Sequence, residues 1–422
     1  MNPTRVSFVV LVPLVALVHS FGQYLARGMW WASALEAGEP AGPTFSLASA
    51  AALMGALVAT MTGAVGGGPA CLTLGLLASA AGELLIAMDW TSPGSVAAGV
   101  GRTLATVGGA SCALRAFGPR QDSARMALLI ATYAAANLAS MAASPMGTLL
   151  HNGLGAKAVI GVGGGIELFA AFLSAPLLYL AVVRPPEGAG GGSLRPPLLA
   201  LGAGAAVVGG AGAGALWVGA DFSYASMSSE VLGSAWLMTL NPLGVLVASA
   251  VAGGVLVALA VGGRQAPPLL VGGVGLLLAG AMLLPAALPG ERGSLVQAAI
   301  AFASGVGEPL LFAGIVASAA GGVHWRVAPA MVAAFTALQT LPQWLVEQAS
   351  SLLGLPTLGG VAAGVCGVAT MLVGVAFLIA AFPLTGVRAS LEGEEEEEDL
   401  PSGGLDPYGF PESAGPGPAP RP

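Results

Sequence analysis

Charged residues are scarce in this sequence. Asp, Glu, Lys and Arg make up 8% of its 422 residues, whereas a soluble domain carries roughly 25% of them. Apolar residues account for 55% of the chain, and the mean hydropathy is +0.84. Because so few charges cannot cover a surface that faces water, the composition excludes an ordinary soluble domain and predicts an integral membrane protein.

Residues typical of metal sites and catalysis are scarce as well. The three cysteines, Cys71, Cys112 and Cys366, lie in or beside apolar segments and lack the spacing of a metal site. The sequence has neither HExxH nor a Gly-x-Ser-x-Gly elbow placed for catalysis. We therefore predict no metal, no cofactor and no enzymatic activity, and we expect no nucleic acid as a partner.

Long apolar segments recur from end to end. Each has about 20 to 28 residues, enough to cross a hydrocarbon core of about 30 Å as a helix. The twelve predicted spans begin near Val6, Phe45, Pro69, Val96, Met126, Val159, Leu198, Leu237, Pro268, Leu295, Val327 and Leu358. The predicted fold class is an all-α polytopic membrane protein, with the lipid bilayer as its first partner.

Two segments divide the chain. The stretch "RPPEGAGGGSLRPP", residues 184–197, is rich in Pro and Gly and predicts a linker between two six-helix bundles, 1–183 and 198–388. Residues 389–422 begin with an acidic run and continue with Pro and Gly. That segment is too polar to bury a core, so we predict a disordered acidic tail.

The basic residues predict the orientation. With a cytoplasmic N-terminus, the outer loops carry only Lys157 and Arg292, and the other loop and tail arginines lie inside. Cytoplasmic loops are enriched in Lys and Arg, so both termini are predicted to be cytoplasmic. A strong excess of Arg over Lys indicates a GC-rich bacterial genome, and thus a bacterial inner (plasma) membrane.

Ionisable residues inside the spans are candidate functional groups, because a charge at membrane depth is costly unless it meets water or a partner. They are His19, Arg27, Glu83, Arg102, Glu167, Asp221, Glu308 and Glu347. The alternative for each is an interhelical salt bridge or a side chain that reaches toward the membrane surface. Glu167 and Glu347 receive no role.

The depth of each residue predicts two pairs. At 1.5 Å per residue, Arg27 and Asp221 both lie near the outer ends of their helices, one in each bundle. A pair that forms and breaks there would act as an outer gate. Glu83 and Arg102 lie at similar depths in the third and fourth spans, so they can neutralise each other.

Two further residues are candidates for proton coupling. Glu308 lies near the bilayer midplane and is followed by Pro309, which predicts a broken helix of the kind that forms binding sites. Its carboxylate could hold a substrate ammonium group or a proton. His19 lies midway along the first span, where an imidazole can exchange a proton near neutral pH, although a packing role is the alternative.

The arrangement of six plus six helices resembles the major facilitator superfamily of secondary transporters. In that fold the first, fourth, seventh and tenth helices line the central cavity, and Arg27, Arg102, Asp221 and Glu308 fall one on each. By resemblance, therefore, these four charges would select and gate the substrate.

Several segments resemble the proton-dependent oligopeptide transporter family within that superfamily. "TYAAANLAS", 132–140, is similar to its FYxxINxGS motif, and "FGQYLARGM", 21–29, to its FxYYGxR motif. Three more segments resemble the family's motifs: "VGGASCALRAFGPRQD" at 107–122, "LNPLGVL" at 240–246 and "GEPLLFAG" at 307–314. The resemblance implies a gate of Arg27 and Asp221. The predicted substrate-binding residues are Glu308, Arg102, Tyr133 and Asn137.

The sequence also departs from that family. Its proton-coupling ExxER motif reads "ALVHS" at 16–20, so both glutamates and the arginine are absent and His19 replaces the second glutamate. The lysine of its fourth helix is Ser111, and the loop between the second and third helices is "GAVGGGPACL". These departures leave open whether transport is coupled to protons.

The expected function is secondary transport of a small polar or peptide-like solute, including di- and tripeptides, by alternating access of the two bundles. Protons are the expected coupling ion if transport is active. One alternative is an exporter of amphipathic compounds. Another is a transporter fold that acts as a membrane scaffold or sensor, with its acidic tail as the interaction element.

Overall fold

The computed structural model describes residues 3–36, 42–118, 120–183, 194–225, 239–288, 294–353 and 359–399. The helices are α1 (Pro3–Glu36), α2 (Gly42–Ala87), α3 (Thr91–Arg115), α4 (Asp122–Leu154), α5 (Ala156–Val183), α6 (Pro196–Ala225), α7 (Leu240–Val261), α8 (Pro268–Leu283), α9 (Ser294–Ser304), α10 (Glu308–Ala320), α11 (Ala328–Leu353) and α12 (Gly359–Asp399). A 3₁₀ turn, Leu284–Ala287, extends α8. Within these ranges, nine stretches are long and apolar enough to cross a membrane.

α2 contains two of the predicted spans. Its backbone leaves the helical conformation at Gly67, with φ 66° and ψ −165°. Beyond this point the helix turns back on itself, as a hydrogen bond between residues twelve apart shows: the thiol of Cys71 donates to the carbonyl of Ala59 at 3.4 Å. In a straight helix, residues twelve apart would lie about 18 Å apart along the axis. A positive φ is accessible mainly to glycine, and a Cβ at Gly67 would also lie 2.5 Å from the ring of Trp325.

The tenth predicted span is broken, as the sequence predicts near Pro309. α9 ends at Ser304, and α10 begins at Glu308 with Pro309 in its first turn. Two glycines in the break permit close backbone contact: a Cβ at Gly305 would lie 2.3 Å from the carbonyl oxygen of Asn241, and one at Gly307 would lie 2.5 Å from the amide of Ala279. With α2 counted twice and α9 and α10 counted together, the helices match the twelve predicted spans.

Two predicted boundaries differ from the structure. α6 begins at Pro196, inside the predicted linker 184–197. α12 continues through the acidic run to Asp399, so residues 389–399 are helical rather than part of a disordered tail. Glutamate is a good helix former, which favours the extension of a helix that is already nucleated. Residues 184–193, 226–238 and 400–422 lie outside the described residues.

The chain forms one compact unit up to Phe382 and a second unit, Pro383–Pro422. In the first half of the compact unit, α1 packs on α4 and α5. The part of α2 after Gly67, called its second arm, packs on α3 and α5. In the second half, α6 packs on α11 and α8 packs on α10. The two halves meet where α2 contacts α11 and where α4 contacts α7. The cavities described below lie between these contacts.

One end of the interface between the halves is held by polar contacts, and we call it the Arg125 end. The guanidinium of Arg125 donates to the carbonyl of Gly321, across the interface. Ser123 also crosses it: its amide donates to Gln265 Oε1 at 2.9 Å, and its hydroxyl accepts from the amide of Ala266 at 2.9 Å. These contacts join the halves at the end that the distribution of basic residues predicts to be cytoplasmic.

We expect neighbouring glycines of α3 to differ sharply in their tolerance of a methyl group. A Cβ at Gly108 would lie 2.1 Å from the amide of Leu72, whereas one at Gly109 would have no neighbour within 4 Å. Gly108→Ala should therefore cost about 1–3 kcal/mol of stability through overpacking, and Gly109→Ala should cost none. Thermal unfolding of the purified protein in detergent tests the pair. Equal melting temperatures would contradict the α2–α3 packing.

Candidate functional site

Two cavities lie between the halves of the molecule. The central cavity has a volume of about 240 Å³, and its walls include His19, Tyr24 and Tyr133 from the first half and Phe312 and Gln339 from the second. The distal cavity has a volume of about 200 Å³. Its polar wall residues are Arg27, Ser49, Arg102, Thr340 and Gln343. Both cavities are thus bounded by residues of both halves.

Glu308 is held between the two halves. It is the first residue of α10, and only 4% of its surface is exposed. The hydroxyl of Tyr133, on α4, donates to Glu308 Oε2 at 2.7 Å, and the amide of Asn241, on α7, donates to Oε1 at 3.0 Å. Asn241 also donates to the hydroxyl of Ser304 at 3.0 Å. The positive end of the α10 dipole favours a carboxylate here.

The partners of Glu308 leave its charge available. Both the phenol and the amide are neutral donors, so they solvate an ionised carboxylate without cancelling its charge. The ring of Tyr133 stacks on Phe312 with 5.1 Å between the ring centroids, and both rings line the central cavity. Glu308 therefore lies behind an aromatic wall, connected to the cavity through the hydroxyl of Tyr133. A cation or a proton is the chemical complement of such a group.

Asn137 lies one turn beyond Tyr133 on α4. Its amide donates to the backbone carbonyl of Tyr133 at 3.0 Å, and its own backbone carbonyl accepts from the hydroxyl of Ser140 at 2.9 Å. In this conformation its side-chain amide is thus engaged with its own helix. Its assignment as a substrate-binding residue stays a prediction.

Arg102 forms the pair that the sequence predicts with Glu83. The guanidinium donates to Glu83 Oε1 at 2.5 Å and stacks 4.6 Å from the ring centroid of Trp30. The indole of Trp30 donates to Glu83 Oε2 at 2.9 Å. Both carboxylate oxygens of Glu83 are therefore satisfied. Arg102 retains a place in the wall of the distal cavity, and its role toward a substrate stays a prediction.

The predicted gate residues lie close to a third residue, Gln343 on α11. The amide of Gln343 donates to Asp221 Oδ2 at 3.0 Å. Gln343 also lines the distal cavity together with Arg27. An amide that can donate to a carboxylate can also accept from a guanidinium, so Gln343 is placed to mediate between the two halves. The gate formed by Arg27 and Asp221 stays a prediction.

His19 lines the central cavity and faces a buried acid on α5. Its Nδ1 lies 3.4 Å from Oε1 of Glu167, whose side chain is completely buried. The sequence predicts a role in proton coupling for His19 but leaves Glu167 unassigned, because the sixth span is peripheral in the fold it resembles. The missed signal is the acid itself, placed in the middle of an apolar helix.

Asn241 and Gln343 are further contributors to the site that the sequence does not identify. Asn241 lies in the first turn of α7, which begins at Leu240. Its amide reaches Glu308 where the break at 305–307 packs against the start of α7. Glu347 lies on α11, but its side chain is outside the described residues.

The pairing of Arg102 with Glu83 predicts a specific pattern of stability. Arg102→Gln should cost about 3–5 kcal/mol, because it leaves the buried carboxylate of Glu83 without a counter-charge. The double variant Arg102→Gln, Glu83→Gln should cost less than Arg102→Gln alone. Thermal unfolding of both single variants and the double variant completes the cycle. Additive losses would mean that the two side chains do not interact in the folded protein.

Solved structures of other proteins share the fold of this chain, whereas sequence comparisons found no relative. Neither the protein-family models nor the curated proteins gave a match to this chain. One similar structure is the peptide transporter POT, a variant crystallised in complex with alafosfalin, which has 16% sequence identity to this chain. The match covers 90% of this chain and 95% of the POT chain, with a TM-score of 0.61. The human organic anion transporter MFSD10 is 16% identical over 89% of this chain and all of its own length, with a TM-score of 0.60.

These likenesses confirm the predicted fold class. Both extend over nearly the full length of both chains, so they include the two six-helix bundles rather than a shared fragment. The chain has the major facilitator fold.

Proposed function

We propose that this protein is a secondary transporter that moves a small polar or peptide-like solute by alternating access. The observation that supports it most is Glu308, a buried carboxylate held between the halves by the neutral donors Tyr133 and Asn241. A group linked to both halves at once can change its environment when the halves move. Binding at Glu308 is therefore coupled to the conformational change that transport requires.

The two ends of the interface support this cycle. Polar contacts join the halves at the Arg125 end, and at the other end Arg27 of the first half and Gln343 of the second both line the distal cavity. In the proposed cycle the contacts at the Arg125 end break as Arg27 and Asp221 approach each other. The central cavity then opens toward the opposite side of the membrane.

The substrate class follows from the charges around the cavities. Glu308 would bind an ammonium group beside the central cavity, and Arg27 and Arg102 in the distal cavity would attract a carboxylate. The central cavity has a volume of about 240 Å³, which gives room for a small solute. A small zwitterion such as a dipeptide fits this combination of size and charge. One similar structure is described as a peptide transporter with alafosfalin bound.

We expect purified protein in proteoliposomes to take up a labelled dipeptide, with faster uptake under an inward proton gradient. Glu308→Gln removes the charge but keeps the shape of the side chain, so gradient-driven uptake should fall at least tenfold. Asp89→Asn is the matched control, because it makes the same chemical change in an exposed ion pair with Lys157 and surface pairs contribute little. Its uptake should equal that of the wild type.

The other outcomes of this experiment separate the alternatives. Uptake that ignores the gradient would indicate a facilitator. Efflux of amphipathic compounds without dipeptide uptake would favour the exporter. Absence of transport for every solute tested, together with capture of a protein partner by residues 389–422, would favour the scaffold or sensor.

The proposed gate predicts a charge-exchange effect. Arg27→Glu and Asp221→Arg each place like charges at the mouth of the distal cavity, so each should reduce dipeptide uptake by an order of magnitude. The double exchange restores an opposite-charge pair and should recover part of the rate. Initial rates of uptake for the four proteins test this pattern. A double variant as slow as either single variant would argue against a pair between these two residues.

A further inference from the structure

The His19–Glu167 pair stands apart from the other buried charges of the first half. Both oxygens of Glu167 and Nδ1 of His19 are buried and lack a hydrogen-bond partner within the described residues. The pair lies where α1 and α5 cross closely, since a Cβ at Gly22 would lie 2.7 Å from the carbonyl of Gly163 and 3.0 Å from Cγ of Glu167. The 3.4 Å separation of His19 and Glu167 is slightly too long for a good hydrogen bond.

The surrounding charges decide the protonation state of the pair. Glu83, on the second arm of α2, is the other acid near Glu167, and it is already neutralised by Arg102 of α3. α4 faces the central cavity with Tyr133 and carries His151 near its far end. Among the described residues, His19 is thus the only cationic side chain in an ion pair with Glu167.

One shared proton makes the pair electrically neutral, either as imidazolium with carboxylate or as imidazole with carboxylic acid. Loss of that proton leaves an uncompensated carboxylate in a buried site, beside the carboxylate of Glu83. Such a charge costs several kcal/mol in a protein interior. A proton shared by the pair removes this cost.

We propose that His19 and Glu167 form the proton-binding site of this transporter, with His19 as the group that exchanges protons with the central cavity. This assignment rests on the proposed transport function and names its coupling ion and site. His19 forms part of the cavity wall, and Glu167 lies behind it on α5. The proton passes from cavity water to the imidazole and is shared with Glu167. No other bond forms or breaks.

The site connects proton binding to the conformational cycle. α1 carries both His19 and the predicted gate residue Arg27, and α1 packs against α4, which carries Tyr133. Neutralising the pair allows α1 and α5 to stay closely packed. Removing the proton favours entry of water between them. A shift of α1 relative to α5 would alter the positions of Arg27 and of the cavity wall together.

The proton site can be tested without any substrate. The sequence has three histidines, at positions 19, 151 and 324, so histidine-labelled protein gives a simple NMR spectrum in which His19→Gln identifies the signal of His19. The pH midpoint of that signal should change by about one unit or more in Glu167→Gln, because the imidazole loses its charged partner. Asp89→Asn should leave it unchanged. An unchanged midpoint in Glu167→Gln would overturn the proposed pairing.

Transport measurements test whether the site drives coupling. In proteoliposomes, Glu167→Gln and His19→Gln should each lose at least tenfold in dipeptide uptake driven by a proton gradient. Glu167→Gln, whose side chain lies behind the cavity wall, should retain counterflow, the exchange of labelled for unlabelled dipeptide, which needs no net proton movement. Retained counterflow also shows that Glu167→Gln is folded, and gel filtration and thermal unfolding check the fold of both variants.

The failures of the two proposals are distinguishable. Gradient-driven uptake in Glu167→Gln equal to that of the wild type would overturn the proton site and leave the transport function standing. If the wild type transports no dipeptide, the substrate assignment fails. The NMR titration then decides the proton site alone: a shifted His19 midpoint supports it, and an unshifted one overturns it.

Discussion

The structure depends on the matching of each buried carboxylate to a partner inside the membrane. Glu83 is fully neutralised, with Arg102 and the indole of Trp30 on its two oxygens. Glu308 is solvated by neutral donors but not neutralised. Glu167 has only the imidazole of His19, at 3.4 Å. The three acids thus differ in how they are compensated, by a counter-charge at Glu83, by neutral donors at Glu308 and by an ionisable partner at Glu167.

The difference in their partners explains why the three acids are suited to different tasks. A fully neutralised acid has no affinity left for a ligand, so Glu83 fixes α2 against α3 and orients Arg102. A solvated but charged acid keeps its attraction for a cation, which suits a substrate site at Glu308. An acid whose partner can itself lose a proton changes charge with the pair, which suits proton binding at Glu167. Their environments, rather than their residue type, separate these roles.

Close packing through glycine holds each half together. A Cβ at Gly75, Gly101 or Gly108 would lie within 2.4 Å of backbone atoms of the facing helix, so α2 and α3 are in direct backbone contact. Apolar surface gives little driving force between helices in lipid, and small residues compensate by bringing backbones into dispersion contact. The helices that meet at these glycines cannot separate without losing that contact.

Much of this fold follows from patterns that are local in sequence. Spans of sufficient apolar length and the glycine and proline positions predict the twelve helices, and matched depth predicts the pair of Glu83 with Arg102. The contact of Asn241 with Glu308 does not follow, because it depends on how far the break at 305–307 lets two helices approach. The contact of Gln343 with Asp221 depends likewise on the rotation of α11. Asn and Gln side chains are uncharged, so the sequence does not show which residue they contact, as an opposite charge would.

The contacts between the halves have a different character from those within them. At the Arg125 end they include the hydrogen bonds of Ser123 and Arg125 and the stacking of Arg115 on Trp325, at 4.8 Å from the ring centroid. Each such contact contributes a net energy of about 1–3 kcal/mol at most, since water can replace the partner when it breaks. Water cannot replace the backbone packing at glycines in this way. The chain can therefore separate its halves at this end at a modest cost while each half stays intact, which is the mechanical requirement for alternating access.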